Sequence, residues 1–235
     1  MQALILAAGV GNRLADAAGG KPKSYLPLGG ETLLTRNLRL LRESGVSECV
    51  LVTGHQRERF AADFPDADIC QVFNPFFKTT NVLVSVWCGL PWLRGEFIYL
   101  HADTVFHPEI LQRLIAAPSQ SALLAADRKQ CAEEEMKYKT DGAGHVFEIN
   151  KTMPPAEAHG EFLGLARFSA GALPVIRRGV ERVLQRGEFG SFFEAALQEM
   201  IDARELVPSV VDTGTLPWRE IDFPEDYQAA RSLFP

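Results

Sequence analysis

"LAAGVGNRLADAAGGKPKSYLPLGG" runs from Leu6 to Gly30 and follows the apolar stretch "ALI" directly. It reads as the loop that leaves a first strand. Gly9 and Gly11 allow backbone conformations closed to other residues, and their missing side chains allow a ligand to come close. Successive backbone N–H groups in such a loop make an anion nest. Arg13, Lys21 and Lys23 add positive charge, so a polyphosphate suits the stretch. Two common phosphate loops do not match. The dinucleotide fingerprint needs a third glycine where Leu14 stands. The Walker loop needs Gly-Lys followed by Ser or Thr, whereas Lys21 is followed by Pro22.

Outward from this loop, strand-like runs alternate with helix-like segments. "ETLLTRNLRLLRESG" carries leucines at helical spacing and ends on Gly45, a helix stop. "ECVLVTG", "ICQVF", "EFIYLHAD" and "SALLAAD" read as strands. "RERFAADF", "TTNVLVSVWCGLPWL" and "PEILQRLIAA" read as helices, the last with proline in its first turn. This alternation predicts an α/β fold, a three-layer α/β/α sandwich around a mixed, mostly parallel sheet. After Asp127 the pattern changes. "MKYKTDGAGHVFEINK" reads as a hairpin around Asp141–Gly144. "EFLGLARFS" is a strand, two helices follow, and the chain closes with "LVPSVVD", "WREID" and a helix from Pro224. The expectation is one domain, 1–235. Residues 1–127 form the first lobe, and 128–235 a small α+β lobe built onto it.

The 235 residues are 46% hydrophobic, enough for a core, with a formal net charge of −6. A nucleic-acid partner would ask for a basic surface and is not expected. Cys49, Cys70, Cys88 and Cys131 form no Cys-x-x-Cys pair, so buried free thiols are expected rather than disulfides or zinc. The start has no basic, long apolar leader, and no run approaches membrane-span length. A cytoplasmic protein without a membrane partner is the expectation, with room for a homodimer.

The two-part pattern Leu6-Ala7-Ala8-Gly9-Val10-Gly11-Asn12-Arg13, then Pro22-Lys23, resembles the pyrophosphorylase-like nucleotidyltransferase superfamily, Rossmann-like and GT-A-like in fold. That resemblance implies that the loop wraps the phosphates of a nucleoside triphosphate. Arg13 would contact the β and γ phosphates and Lys23 the α phosphate. Leu6, Ala7, Ala8, Gly9, Gly11 and Gly54 would bind the nucleotide. Lys21 reads as a solvated flank. The resemblance also implies Mg2+, held by Asp103 in "FIYLHADTVF" and Asp222 in "WREIDFPEDY". Magnesium prefers hard oxygen ligands, so one or two carboxylates beside phosphates suffice. His101 is read as a core or supporting histidine. "NPFFKTTNVLVSVW" resembles a cytidylyltransferase segment that reads the pyrimidine, which points to Asn81, Ser85 and CTP.

The second half would choose the acceptor. "CAEEEMKYK" and "GSFFEAAL" are similar to stretches of cytidylyltransferases acting on phosphocholine, 2-aminoethylphosphonate and inositol 1-phosphate. Lys137 and Lys151 would clamp the acceptor's anionic group, and Glu161 would lie near it. Glu194 would meet a positive amine, with Phe193 and Trp218 as aromatic faces. The expected reaction is CMP transfer from CTP to phosphocholine or 2-aminoethylphosphonate with release of pyrophosphate. Transfer to inositol 1-phosphate or a sugar 1-phosphate is the alternative, and a silent nucleotide-binding module a distant one. No β-helix tail of the kind fused to some sugar pyrophosphorylases is expected, and a small dedicated enzyme is the expectation.

Overall fold

The computed structural model describes residues 1–14, 17–118 and 120–235. In chain order the strands and helices are β1 (Gln2–Ala7), β2 (Pro27–Leu28), β3 (Glu31–Thr32), α1 (Leu33–Glu43), β4 (Glu48–Thr53), α2 (Arg57–Asp63), β5 (Ile69–Phe73) and α3 (Val82–Gly89). They continue with β6 (Phe97–His101), β7 (Thr104–Phe106), α4 (Pro108–Ala116), β8 (Ala122–Asp127), β9 (Lys137–Thr140), β10 (Val146–Asn150) and β11 (Gly160–Phe168). Last come α5 (Ala172–Gln185), α6 (Phe193–Asp202), β12 (Pro208–Asp212), β13 (Trp218–Glu220) and α7 (Pro224–Leu233).

Nine strands form one sheet, with the path β10-β9-β11-β6-β1-β4-β5 and with β8 joining β11 to β12. β6, β1, β4 and β5 run parallel, and β11 runs antiparallel to β6, β8 and β9. Strand alternation explains the layers. Leu4 and Leu6 face a core built with α3, α5 and α6, while Ala3, Ile5 and Ala7 face one built with α1, α2 and α4. This is the expected α/β/α sandwich. Its two halves share the sheet, because β8 from the first pairs with β11 and β12 from the second. A third cluster, Leu14, Leu26, Leu28, Val105, Ile221 and Ala230, packs α7 under the Gly-rich loop.

The expected hairpin forms between β9 and β10, closed by Asp141 and His145, whose N–H and C=O pair at 2.8 Å. All four cysteines are free; Cys49 and Cys131 are buried, Cys70 and Cys88 half-buried. Among the described residues no helix is long and apolar enough to cross a membrane.

Candidate active site

Parallel strands deliver their carboxyl ends to one edge, where ligands of open α/β sheets bind. β1 ends at Ala7 and leads into the Gly-rich loop, and β6 ends at His101, two residues before Asp103. β13 reaches the same place from the other end of the chain. It pairs antiparallel with β7, Glu220 opposite Thr104, and the Ile221 N–H donates to the Asp103 carbonyl at 3.1 Å. That pairing sets Asp222 against Asp103.

Lys23 joins them. Pro22 sets the entry to a short turn over Lys23–Tyr25. From there the Lys23 ammonium lies 2.5 Å from Asp103 Oδ2 and 2.7 Å from Asp222 Oδ1. Gly11, at φ +66°, makes room for it, since a Cβ there would stand 2.9 Å from Lys23 Cβ. Burial alone would lower the Lys23 pKa, but the two carboxylates outweigh it and hold the ammonium charged well above its ordinary range. Burial would raise Asp103, yet Lys23 and His101 keep it below the usual carboxylate value.

His101 sits beside this pair. Its Nε2 lies 2.6 Å from Tyr99 Oη and its Nδ1 3.5 Å from Glu220 Oε1. Burial lowers its pKa, but Glu220, Asp103 and Glu194 lift it to about 9. Its side-chain neighbours are thus Tyr99 and Glu220. His101, Asp103 and Glu220 bring ligand atoms within 4.8 Å of one another. Asp103 and Glu220 offer oxygen donors there, Asp222 lines one cleft with them, and carboxylates suit a hard divalent cation. Lys23 already seats a positive charge between two of them.

A cleft of about 270 Å³ opens above these groups, walled by Leu6, Ala8, Gly9, Asn81, Ser85, Lys151, Phe192, Glu220 and Asp222 among others. Ala7 and Gly11 border a smaller adjoining hollow with Lys23 and Asp103. Asn81 caps α3 through Oδ1 to the Val82 N–H at 2.8 Å, while its Nδ2 donates to the Gly190 carbonyl at 3.2 Å. Ser85 is buried and accepts from Asn74 Nδ2 at 3.0 Å. Asn74 also lines the cleft. The sequence reading passed over it, although it opens the same "NPFF" stretch. Arg13 is exposed and stacks on Phe223 at 4.6 Å, tying the loop to the segment after Asp222.

Gly54 is not part of the cleft wall. It lets β4 pass under the loop, since a Cβ there would lie 2.5 Å from the Ala8 carbonyl oxygen and 2.6 Å from Phe77 Cβ. Gly54→Ala is expected to cost about 2 kcal/mol of stability, because a fixed backbone oxygen cannot give way. A thermal melt beside wild type checks this.

Three acceptor expectations need correction. Lys137 is fully buried and donates to the carbonyls of Ala132 (3.3 Å), Glu133 (2.6 Å) and Glu135 (3.0 Å). It holds the 132–135 turn and clamps no ligand. Phe193 is a core side chain, its ring centre 4.8 Å from that of Tyr99, tilted, and 5.9 Å from that of Phe168, edge-on. Glu194, on the same turn of α6, is buried with Oε2 unpaired, and burial raises its pKa. Phe192, one residue earlier, reaches the cleft instead, with the Lys151 ammonium 4.8 Å above its ring. Glu161 and Trp218 lie apart from these, in a neighbouring cavity of about 400 Å³ that shares Glu220 and Asp222 with the cleft.

Known proteins agree with this architecture. The chain is 30% identical to the CMP-5'-(3-aminopropyl)phosphonate synthase of Streptomyces rubellomurinus over all of its own length, but it spans only 39% of that protein. It is 23% identical to the CTP:phosphoglutamine cytidylyltransferase of Campylobacter jejuni, across 97% of this chain and 98% of the other. The inositol-1-phosphate CTP transferase of T. maritima superposes with a TM-score of 0.82 at 20% identity, covering 99% and 95% of the two chains. That likeness establishes the fold. Residues 3–187 match the MobA-like NTP transferase domain, and this match includes the Gly-rich loop, Lys23 and Asp103. With the loop, the lysine and the acid gathered at one sheet edge, the chain belongs to the MobA-like NTP transferase family.

Proposed function

We propose that the protein is a magnesium-dependent cytidylyltransferase, which moves CMP from CTP to a small acceptor bearing a phosphate or phosphonate. The observation that carries this reading is the Lys23 ammonium held between Asp103 and Asp222 beneath the Gly-rich loop. Nucleotidyl transfer needs positive charge at the α phosphate and carboxylate oxygens for a metal, and these three side chains supply both. The names of the relatives support CTP and a phosphonate or phosphate acceptor.

An acceptor oxygen attacks the α phosphorus in line. The new P–O bond forms as the bond to the β-phosphate oxygen breaks, and pyrophosphate leaves with that electron pair. No general base is required, because a phosphate's second ionisation lies near pH 6. Lys23 neutralises charge on the α phosphate. The loop N–H groups and Arg13 hold the departing phosphates. Asp103 and Asp222, with Glu220 beside them, would hold Mg2+, which supplies Lewis-acid stabilisation of phosphate oxygens. Asn81, Ser85 and Asn74, which line the cleft, would read the base. A reaction fed by CTP and Mg2+ belongs in the cytoplasm.

Pyrophosphate release across four nucleoside triphosphates and a panel of acceptors tests this. The expected result is turnover with CTP and a phosphonate or phosphocholine-like acceptor, abolished by EDTA. Turnover confined to glucose 1-phosphate or inositol 1-phosphate would move the acceptor reading to the sugar class. Turnover undiminished by EDTA would remove the metal.

A further inference from the structure

The cavity beside the cleft contains a cation cage that is already filled by the chain itself. Lys129, just after β8, places its ammonium 2.6 Å from Glu161 Oε2, 2.8 Å from Glu135 Oε1 and 5.5 Å from the centre of the Trp218 ring. Two of the three walls hold side-chain contacts of their own, and the third is set by its strand. Trp218 Nε1 donates to Asp127 Oδ2 at 3.0 Å. Glu135 Oε2 accepts from the Ala132 N–H at 2.8 Å. Glu161 is buried on β11, in register with Asp127 on β8 and Lys137 on β9. Lys129 is the loose member, a partly exposed side chain on a segment without regular structure. The cavity adjoins the reaction centre, since Glu220 and Asp222 wall both.

We propose that Glu161, Glu135 and Trp218 recognise a primary ammonium group of the acceptor, and that Lys129 is a built-in surrogate displaced when the acceptor enters. This deepens the cytidylyltransferase reading and rests on it. It moves amine recognition from Phe193 and Glu194, which lie in the core, to the neighbouring cavity. It also specifies the amine. A primary ammonium has three N–H donors for two carboxylates and can sit over the indole face, as Lys129 does. A trimethylammonium group has no N–H to give and leaves a buried carboxylate without a hydrogen bond, which disfavours it. Burial pushes Glu161 up to about 7 even beside Lys129, so the acid gains from a well-placed ammonium.

The test compares 2-aminoethylphosphonate, phosphoethanolamine, phosphocholine and amine-free ethylphosphonate, by CTP turnover and by calorimetric binding to the whole protein. Wild type is expected to favour the two primary amines over phosphocholine and ethylphosphonate by about ten-fold in kcat/KM. Glu161→Gln, nearly isosteric, should erase most of that preference and weaken 2-aminoethylphosphonate binding about ten-fold. Lys129→Met should act in the opposite direction and tighten it several-fold, because the competing cation is gone. Weaker binding in Lys129→Met would make Lys129 an anion clamp and overturn the proposal. So would a wild type that prefers phosphocholine, or a Glu161→Gln that weakens ethylphosphonate and 2-aminoethylphosphonate alike. If no acceptor turns over but calorimetry shows the two opposite shifts, the cage stands and the transfer reading fails.

Discussion

Lys23→Met is expected to lower turnover about a thousand-fold while the protein remains folded. The side chain stands where the Gly-rich loop, Asp103 and Asp222 converge, and no second cation of the described residues contacts both acids. Removing one preorganised donor from a developing oxyanion costs about a hundred- to a thousand-fold in rate, and this donor also carries a full charge. The change leaves two carboxylates facing each other without their counter-cation. Both are partly exposed, so solvent limits the loss of stability to about 1–2 kcal/mol. Heat unfolding in the presence of EDTA measures that loss, and added Mg2+ is expected to recover part of it. A Lys23→Met enzyme within ten-fold of wild-type turnover would show that the lysine is a structural bridge only.

Asp103→Asn should fall by a similar factor, about a hundred- to a thousand-fold, for a separable reason. The amide keeps the shape but loses the charge that both Lys23 and a divalent cation would use. Its signature is in metal binding. Mg2+ should raise the melting temperature of wild type in the presence of a non-hydrolysable CTP analogue, and this rise should be lost in Asp103→Asn. In Lys23→Met the acids survive, so the metal-dependent rise should survive too. If both variants keep the metal response, Asp103 is not a metal ligand and the cation site lies elsewhere.

Much of the fold is readable in the sequence because its signals are local. Apolar runs mark β1, β4 and β6, leucine spacing marks α1, and Pro108 and Pro224 open α4 and α7. Lys23, Asp103 and Asp222 are readable too, since each follows a recognisable element: a Gly-rich loop, a buried strand ending on an acid, and a short closing strand. The acceptor side is less legible because side-chain direction decides it. At the start of α6, Phe192 reaches the cleft while Phe193 and Glu194 point into the core, and one residue of helical phase separates those outcomes. Lys137 looks like any lysine beside a strand until its three carbonyl partners are seen. Lys129 gives no local signal. Its cage is assembled from β8, β11, β13 and the 132–135 turn, which only the tertiary fold brings together.

The most direct measurement is phosphorus NMR of the protein with CTP, Mg2+ and 2-aminoethylphosphonate. Loss of the three CTP resonances, with free pyrophosphate and a new phosphonate–phosphate anhydride appearing in equal amounts, is the predicted result. CTP that stays intact, or is hydrolysed to CMP without an anhydride product, would contradict cytidylyl transfer to this acceptor.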